Sequence, residues 1–183
     1  AGKSTRPTGW MYLDKDITLV YGTVYLDEEC LSLVESFAPA VVAIDSPLTF
    51  PRSGYDRLVD KLMRKRGYRV LPPLFSNMAV LTRRGVHIAR MISSMGVPVI
   101  EVHPSSSAKA LGVSRNIEGL LRALRLIGFN LEHLDDLSIH EVDAGFAAIT
   151  GMLFLKGMVE IITAEDGRIV LPSLDIRRVK GLR

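Results

Sequence analysis

Glutamine is absent from this chain of 183 residues, and asparagine occurs only as Asn77, Asn116 and Asn130. Scarcity of thermolabile amides is a pattern of heat-adapted proteins. A single cysteine, Cys30, excludes an internal disulfide and fits a reducing cytoplasm. Its plain reading is a small buried residue on a helix. No apolar run approaches the ~18 residues that a membrane span needs. The opening Ala1-Gly2-Lys3-Ser4-Thr5-Arg6 has no apolar stretch of the signal-peptide kind. A cytoplasmic protein without a membrane partner is therefore expected. Hydrophobic residues make up 48%, and mean hydropathy is +0.22, which excludes a disordered chain. The length suits one domain over residues 1–183.

Net charge is +3, and its distribution says more than its size. From Arg52 to Arg90 the chain has ten lysines and arginines against two acids, Asp56 and Asp60, while the remainder carries a net −5. A basic segment beside an acidic remainder suits a polyanionic partner. A solvated basic helix surface is the plainer reading.

The pattern along the chain predicts a mixed α/β order. Gly9-Trp10-Met11-Tyr12-Leu13 and Ile17 to Tyr25 read as two strands of a hairpin joined by Asp14-Lys15-Asp16. Asp27 to Phe37 reads as a helix ending before Pro39. Val41-Val42-Ala43-Ile44 does not alternate, so it reads as a strand covered on both faces, stopped by Asp45-Ser46-Pro47. Tyr55 to Arg66 is amphipathic, with Gly67 as the residue after the helix end. Leu71-Pro72-Pro73 is a rigid link, and Thr82 is a candidate cap for a helix reaching Met95. Val97 to Val102 reads as a strand, with Pro98 placing it at an edge or a start. Helices over Ile117 to Ile127 and His140 to Met158 follow, then a short strand at Ile169-Val170-Leu171-Pro172.

Three places carry residues that packing alone explains poorly. Asp45 ends an apolar strand, where open α/β sheets gather their ligand sites; a turn or cap aspartate is the plainer alternative. His140 and Asp143 are three apart and share a helix face, beside small residues at Ala144 and Ala147. Polar groups on a packed face need a partner, and metal ligation supplies one. Helix capping covers Glu141 comfortably and Asp143 less well. Glu101 lies within a strand, on the same side as Val97, Val99 and His103, facing either a site or solvent. Two weaker signals carry little. Ala1-Gly2-Lys3-Ser4-Thr5 resembles the tail of a phosphate loop, but Pro7 and Gly9 spoil the helix that motif needs. Ser105-Ser106-Ser107 lacks the flanking glycines of a nucleophile elbow.

Six motifs then occur in order: Arg6-Pro7-Thr8-Gly9-Trp10, Ala43-Ile44-Asp45-Ser46-Pro47-Leu48, Val70-Leu71-Pro72-Pro73, Leu81-Thr82-Arg83-Arg84-Gly85, Ile100-Glu101-Val102-His103-Pro104 and His140-Glu141-Val142-Asp143-Ala144. Together they resemble the domain-of-unknown-function family 429, predicted RNase H-like nucleases related to RuvC-type resolvases. The resemblance implies an RNase H-like α/β fold, with a central mixed sheet of about five strands flanked by helices. It implies that Asp45 and Asp143 are metal-binding catalytic acids and that His140 is a ligand or proton carrier. Glu141 and Glu101 match family positions of less certain role, Glu141 as a catalytic candidate and Glu101 as a metal candidate. The family's first strand ends in a Gly-Ile-Asp-Leu-Ala-Gly-like sequence. This chain opens at Ala1-Gly2, just after that aspartate's place, so the resemblance also implies that the first strand and its acid are missing from these residues.

The expected activity is hydrolysis of phosphodiester bonds in DNA or RNA. Carboxylates would hold Mg²⁺ or Mn²⁺, and Arg52, Arg57, Lys61, Arg83 and Arg84 would grip phosphates. The rival is a catalytically inactive scaffold of the same type that binds nucleic acid or protein. A homodimer is compatible with either. A kinase-like relative would need glycine-rich phosphate loops, which the sequence lacks.

Overall fold

The computed structural model describes residues 7–16, 18–75, 78–129, 131–134 and 136–173. Residues 1–6, which hold the phosphate-loop-like segment, and Ile17 lie outside the described residues. Strands β1 (Thr8–Leu13) and β2 (Leu19–Val24) form the expected antiparallel hairpin. Helix α1 (Asp27–Phe37) follows, its first turn acidic as the helix dipole favours. The Glu29 carboxylate accepts the backbone N–H groups of Tyr25 and Leu26, both at 2.8 Å, which holds its pKa below the ordinary value. Strand β3 (Val42–Ile44) pairs in parallel with β4 (Val99–Glu101). Between them in sequence lie α2 (Leu58–Lys65) and α3 (Met78–Ser94). Helices α4 (Pro104–Ala110), α5 (Ile117–Leu126) and α6 (Ile139–Leu155) precede a second hairpin of β5 (Val159–Ala164) and β6 (Gly167–Pro172).

The sheet arrangement corrects the sequence expectation. The described residues form three separate two-stranded sheets, β1–β2, β3–β4 and β5–β6, so a central five-stranded sheet of RNase H type is not formed. The reason is backbone pairing. β1 and β3 each have one ladder partner and do not pair with each other, and β6 reaches the β3–β4 sheet only through an isolated bridge between Val102 and Val170. Smaller differences have local causes. Residues Tyr55 to Arg57 stay out of α2, and Tyr55 is exposed. Thr82 lies inside α3, where its buried hydroxyl donates to the Pro73 carbonyl at 2.8 Å rather than capping. Strand β5 was hidden in sequence because it directly follows the long helix. Gly67 ends α2 with φ +82°, as its position suggested.

Helix α6 is the element on which the others pack. Gly9 of β1 sits so close to its first turn that a Cβ there would overlap the His140 carbonyl. Gly145 leaves room for the Leu120 side chain of α5, and Gly151 faces Val41 and Ala43. Met11 and Leu13 join the core formed by α5 and α6 around Phe129, Phe146 and Ile149. Val41 and Ala43 pack with Ala147, Ile100, Val102 and Val170. Strand side chains alternate between faces. Accordingly Trp10 and Tyr12 point away from α6 toward Phe37 of α1, on which Tyr12 stacks with ring centroids at 4.6 Å while Trp10 meets it tilted at 5.6 Å. No helix among the described residues is long and apolar enough to cross a membrane.

A buried ion cluster ties α2 to β4. Arg57 is fully buried, which removes it from the phosphate-gripping surface where its charge had placed it. Its guanidinium donates to Asp60 at 2.8 and 2.9 Å and to Glu101 at 2.8 and 2.5 Å. Thr49 Oγ1 accepts a further bond at 2.8 Å. Burial works against the Arg57 cation, but Glu101 and Asp60 outweigh it and hold the guanidinium's pKa above its ordinary value. The turn of the β5–β6 hairpin adds Asp166, whose carboxylate accepts the first N–H groups of α2, from Leu58 at 2.6 Å and Val59 at 3.2 Å. Removing one member of a buried ion cluster leaves an uncompensated charge. Arg57→Met is therefore expected to lower stability by about 3–5 kcal/mol, read from urea unfolding. A loss under about 1 kcal/mol would place the cluster with exposed ion pairs.

Candidate functional site

Strand periodicity separates the two strand acids. Val41 and Ala43 face α6, so Asp45, next in that alternation, approaches the helix at Asp143. Glu101 pairs in register with Ile44 and lies on the opposite face, toward α2. There the Arg57 guanidinium occupies both its oxygens and the Leu48 N–H donates to it at 2.8 Å. Glu101 is thus a structural anchor rather than the metal ligand expected from sequence.

Asp45 and Asp143 line the same recess, and the Asp143 charge acts on Asp45. Burial is the largest influence on Asp45, and the Asp143 carboxylate is the next; together they push its pKa up to about 7, against the opposing pull of Arg115. Asp45 nevertheless keeps a substantial part of its surface accessible, and it lines an open recess. His140 lines the same recess and is exposed at its rim. Glu141 does not join them. Its carboxylate accepts the Ser138 N–H at 2.9 Å and the Ser138 hydroxyl at 2.8 Å, while Ser138 Oγ accepts the Glu141 N–H at 3.4 Å. This reciprocal box starts α6, and Thr23 of β2 donates to the same carboxylate at 3.4 Å.

Arg115 was not legible as a site residue. It lies just before α5 and clamps Asp143 through two bonds, from Nε at 2.5 Å and from Nη2. Asp143 holds the guanidinium's pKa above its ordinary value. No spacing rule points to it, because it is isolated in sequence and meets Asp143 only through the packing of α5 on α6. His103 lies nearby, its Nδ1 at 2.7 Å from Ser106 Oγ, and burial followed by Arg115 holds its pKa below the ordinary value.

The basic residues divide. Arg52 is exposed and paired with Glu165 at 2.8 Å. Lys61 is exposed on α2 and does not line the recess that holds Asp45 and Asp143. Arg83 is exposed on the wall of the recess that holds Asp45 and Asp143. Arg84 ties α3 to α1 and β1, donating to Asp27 at 2.7 Å and to Thr8 Oγ1 at 2.9 Å.

Among the described residues, no group of three or more His, Cys, Asp or Glu side chains is arranged to hold a metal ion. Two carboxylates that line one recess remain. That donor set suits one hard cation that keeps most of its water, and does not supply the donors for two ions. Comparison with family models, curated proteins and solved structures finds no match, so the six motifs alone carry the family resemblance.

The raised Asp45 pKa has a stability consequence. The folded state holds this proton up to about pH 7, whereas an unperturbed aspartate releases it near 3.8. The native state therefore binds more protons across that window, and stability falls as pH rises through it. Asp45→Asn removes this effect. The Tm difference, variant minus parent, is expected to be small at pH 3.5 and to grow toward pH 7.5 in the variant's favour. Parallel melting profiles across the range would contradict the assignment.

Proposed function

We propose that the protein hydrolyses phosphodiester bonds of nucleic acid with a divalent cation, Mg²⁺ or Mn²⁺, held by Asp45 and Asp143. The observation that carries this reading is that the two carboxylates line one recess, with the charge of Asp143 acting on Asp45. Two carboxylates that share a recess favour either a proton or a cation, and the proton on Asp45 is the one a metal would displace. Oxygen donors match Mg²⁺ and Mn²⁺ rather than Zn²⁺. Such an ion, when bound, supplies an acidified water and a Lewis acid for a phosphoryl oxygen.

The chain's own residues have separable roles. Arg115 orients the Asp143 carboxylate toward the recess and contributes positive charge beside it. His140, at the rim, is placed to carry a proton between the recess and solvent. Arg83 offers a cation on the recess wall for a substrate phosphate. Capping by Glu141 and Ser138 fixes the first turn of α6, and so fixes where Asp143 stands.

The bidentate hold of Arg115 on Asp143 favours a second reading, an inactive scaffold that binds nucleic acid by charge alone. One set of assays separates the two. With Mn²⁺ and branched, single-stranded and RNA–DNA hybrid substrates, cleavage is expected, and Asp143→Asn is expected to reduce it by roughly a hundredfold or more. Cleavage unchanged by Asp143→Asn ends the proposal. Salt-sensitive binding without cleavage, and without a rise in Tm at millimolar Mn²⁺, supports the scaffold.

A further inference from the structure

Helix α3 has no acidic residue over its 17 positions. Its inward face carries Thr82, Gly85, Val86 and Ile92, all buried. Arg83, His87 and Arg90 lie at i, i+4 and i+7 and so share one outward face, where all three are exposed. Arg84 is committed to Asp27 and Thr8, but among the described residues Arg83, His87 and Arg90 have no ion-pair or hydrogen-bond partner. Seven residues of helix span about 10 Å, so this stripe reaches more than one phosphate of a nucleic-acid strand.

The end of β3 rests on the same helix. Gly85 admits Ser46 so closely that a Cβ there would overlap the serine Oγ, and the Ser46 hydroxyl donates to the Leu81 carbonyl at 3.2 Å. Asp45, the neighbour of Ser46, is thereby held beside α3, and Arg83 and His87 line the recess that Asp45 and Asp143 share. Two aromatic rings stand toward the N-terminal end of the helix. Tyr55 and Phe75 are 60% and 56% exposed. They belong to one braced corner. The Leu74 N–H donates to the Tyr55 carbonyl at 3.2 Å, and the Met78 N–H donates to the Phe75 carbonyl at 3.0 Å. The Thr82 hydroxyl bonds the Pro73 carbonyl in the same corner. Phe75 also lines the recess.

We propose that α3 and this corner form a track for an unpaired strand of nucleic acid, with Arg83, His87 and Arg90 donating to phosphates and with Tyr55 and Phe75 stacking on bases. Open rings beside unpaired arginines suit a polyanion that also has flat apolar faces, and an unpaired strand has both. A duplex keeps its base faces inside its own stack and presents only phosphates to the stripe. An acidic peptide supplies the charge but offers the rings no flat face. The track deepens the nucleic-acid reading by naming its substrate class, and rests on that reading for the class alone, since the metal takes no part in it.

Binding is measured in EDTA by the anisotropy of three fluorescein-labelled ligands titrated with the full chain at low salt. They are oligothymidine, its duplex with oligoadenosine, and an abasic strand of equal length. Oligothymidine is expected to bind roughly tenfold or more tighter than either of the others. Tyr55→Ala with Phe75→Ala is expected to lower oligothymidine to the abasic level, while leaving abasic binding, circular dichroism and Tm near those of the parent. Tyr55→Trp with Phe75→Trp is expected to keep the preference. Arg83→Ala with Arg90→Ala is expected to weaken all three ligands and to flatten the slope of log affinity against log salt by about 1.4 for the single strand, ~0.7 for each lost phosphate contact. Equal affinity for the duplex or the abasic strand overturns the proposal. So does a salt slope unmoved by the arginine pair, an absence of binding up to high micromolar chain, or displacement by polyglutamate as effective as by unlabelled oligothymidine. This binding pattern without Mn²⁺-dependent cleavage ends the metal reading and supports the track. Cleavage that Asp143→Asn abolishes, in a chain without this pattern, overturns the track and leaves the metal reading in place.

Discussion

Helix α6 must touch β1, β3, α5 and the β5–β6 hairpin at once, and this close packing conditions the rest of the structure. A helix can be approached that closely only where its side chains, or those facing it, are small. Gly145 and Gly151 on the helix and Gly9 on the strand meet that need. The first two turns of the same helix carry His140 and Asp143, so the packing that builds the core also sets the position of the site. The Ser138–Glu141 cap fixes where that helix begins. Through these contacts, Asp143 is brought into the recess that Asp45 lines at the end of β3.

Charge is managed in two different ways on the two faces of β3–β4. On the α2 face, Glu101 and Asp60 are neutralised by Arg57, and every nitrogen of that guanidinium is occupied. On the α6 face, Arg115 offsets Asp143 but does not relieve Asp45, whose pKa stays near 7. A fully satisfied cluster holds elements together and has no capacity to spare. An acid pair with one carboxyl still undercompensated can respond to a proton or a cation, and that asymmetry separates a structural cluster from a candidate site.

The two-stranded sheets follow a related logic. Each packs on α6, and β1 also meets Phe37 of α1, yet among the described residues β1 and β3 each have a single ladder partner. Unpaired edges are usually blunted by charge, proline or a covering loop. Here both strands line the recess that also holds Asp45 and Asp143.

Sequence pattern alone determined the local elements well. The β1–β2 hairpin, α1, α5 and most of α6 follow from alternation, helical spacing and terminal signals, all of which act between near neighbours. It also singled out Asp45 and Asp143, because an acid ending an apolar strand and another on an apolar helix face are locally costly. Tertiary structure decided which acids meet. Glu101 and Asp45 look alike in sequence, and only the alternation of paired strands, with Arg57 on one side and α6 on the other, sends them to opposite faces. Arg57 looked like one basic residue among ten, and burial turned it into a core residue. Arg115 and the open edges of β1 and β3 left no local trace. Pairing partners and buried charge are set by contacts between segments far apart in the chain, and a local pattern carries no information about them.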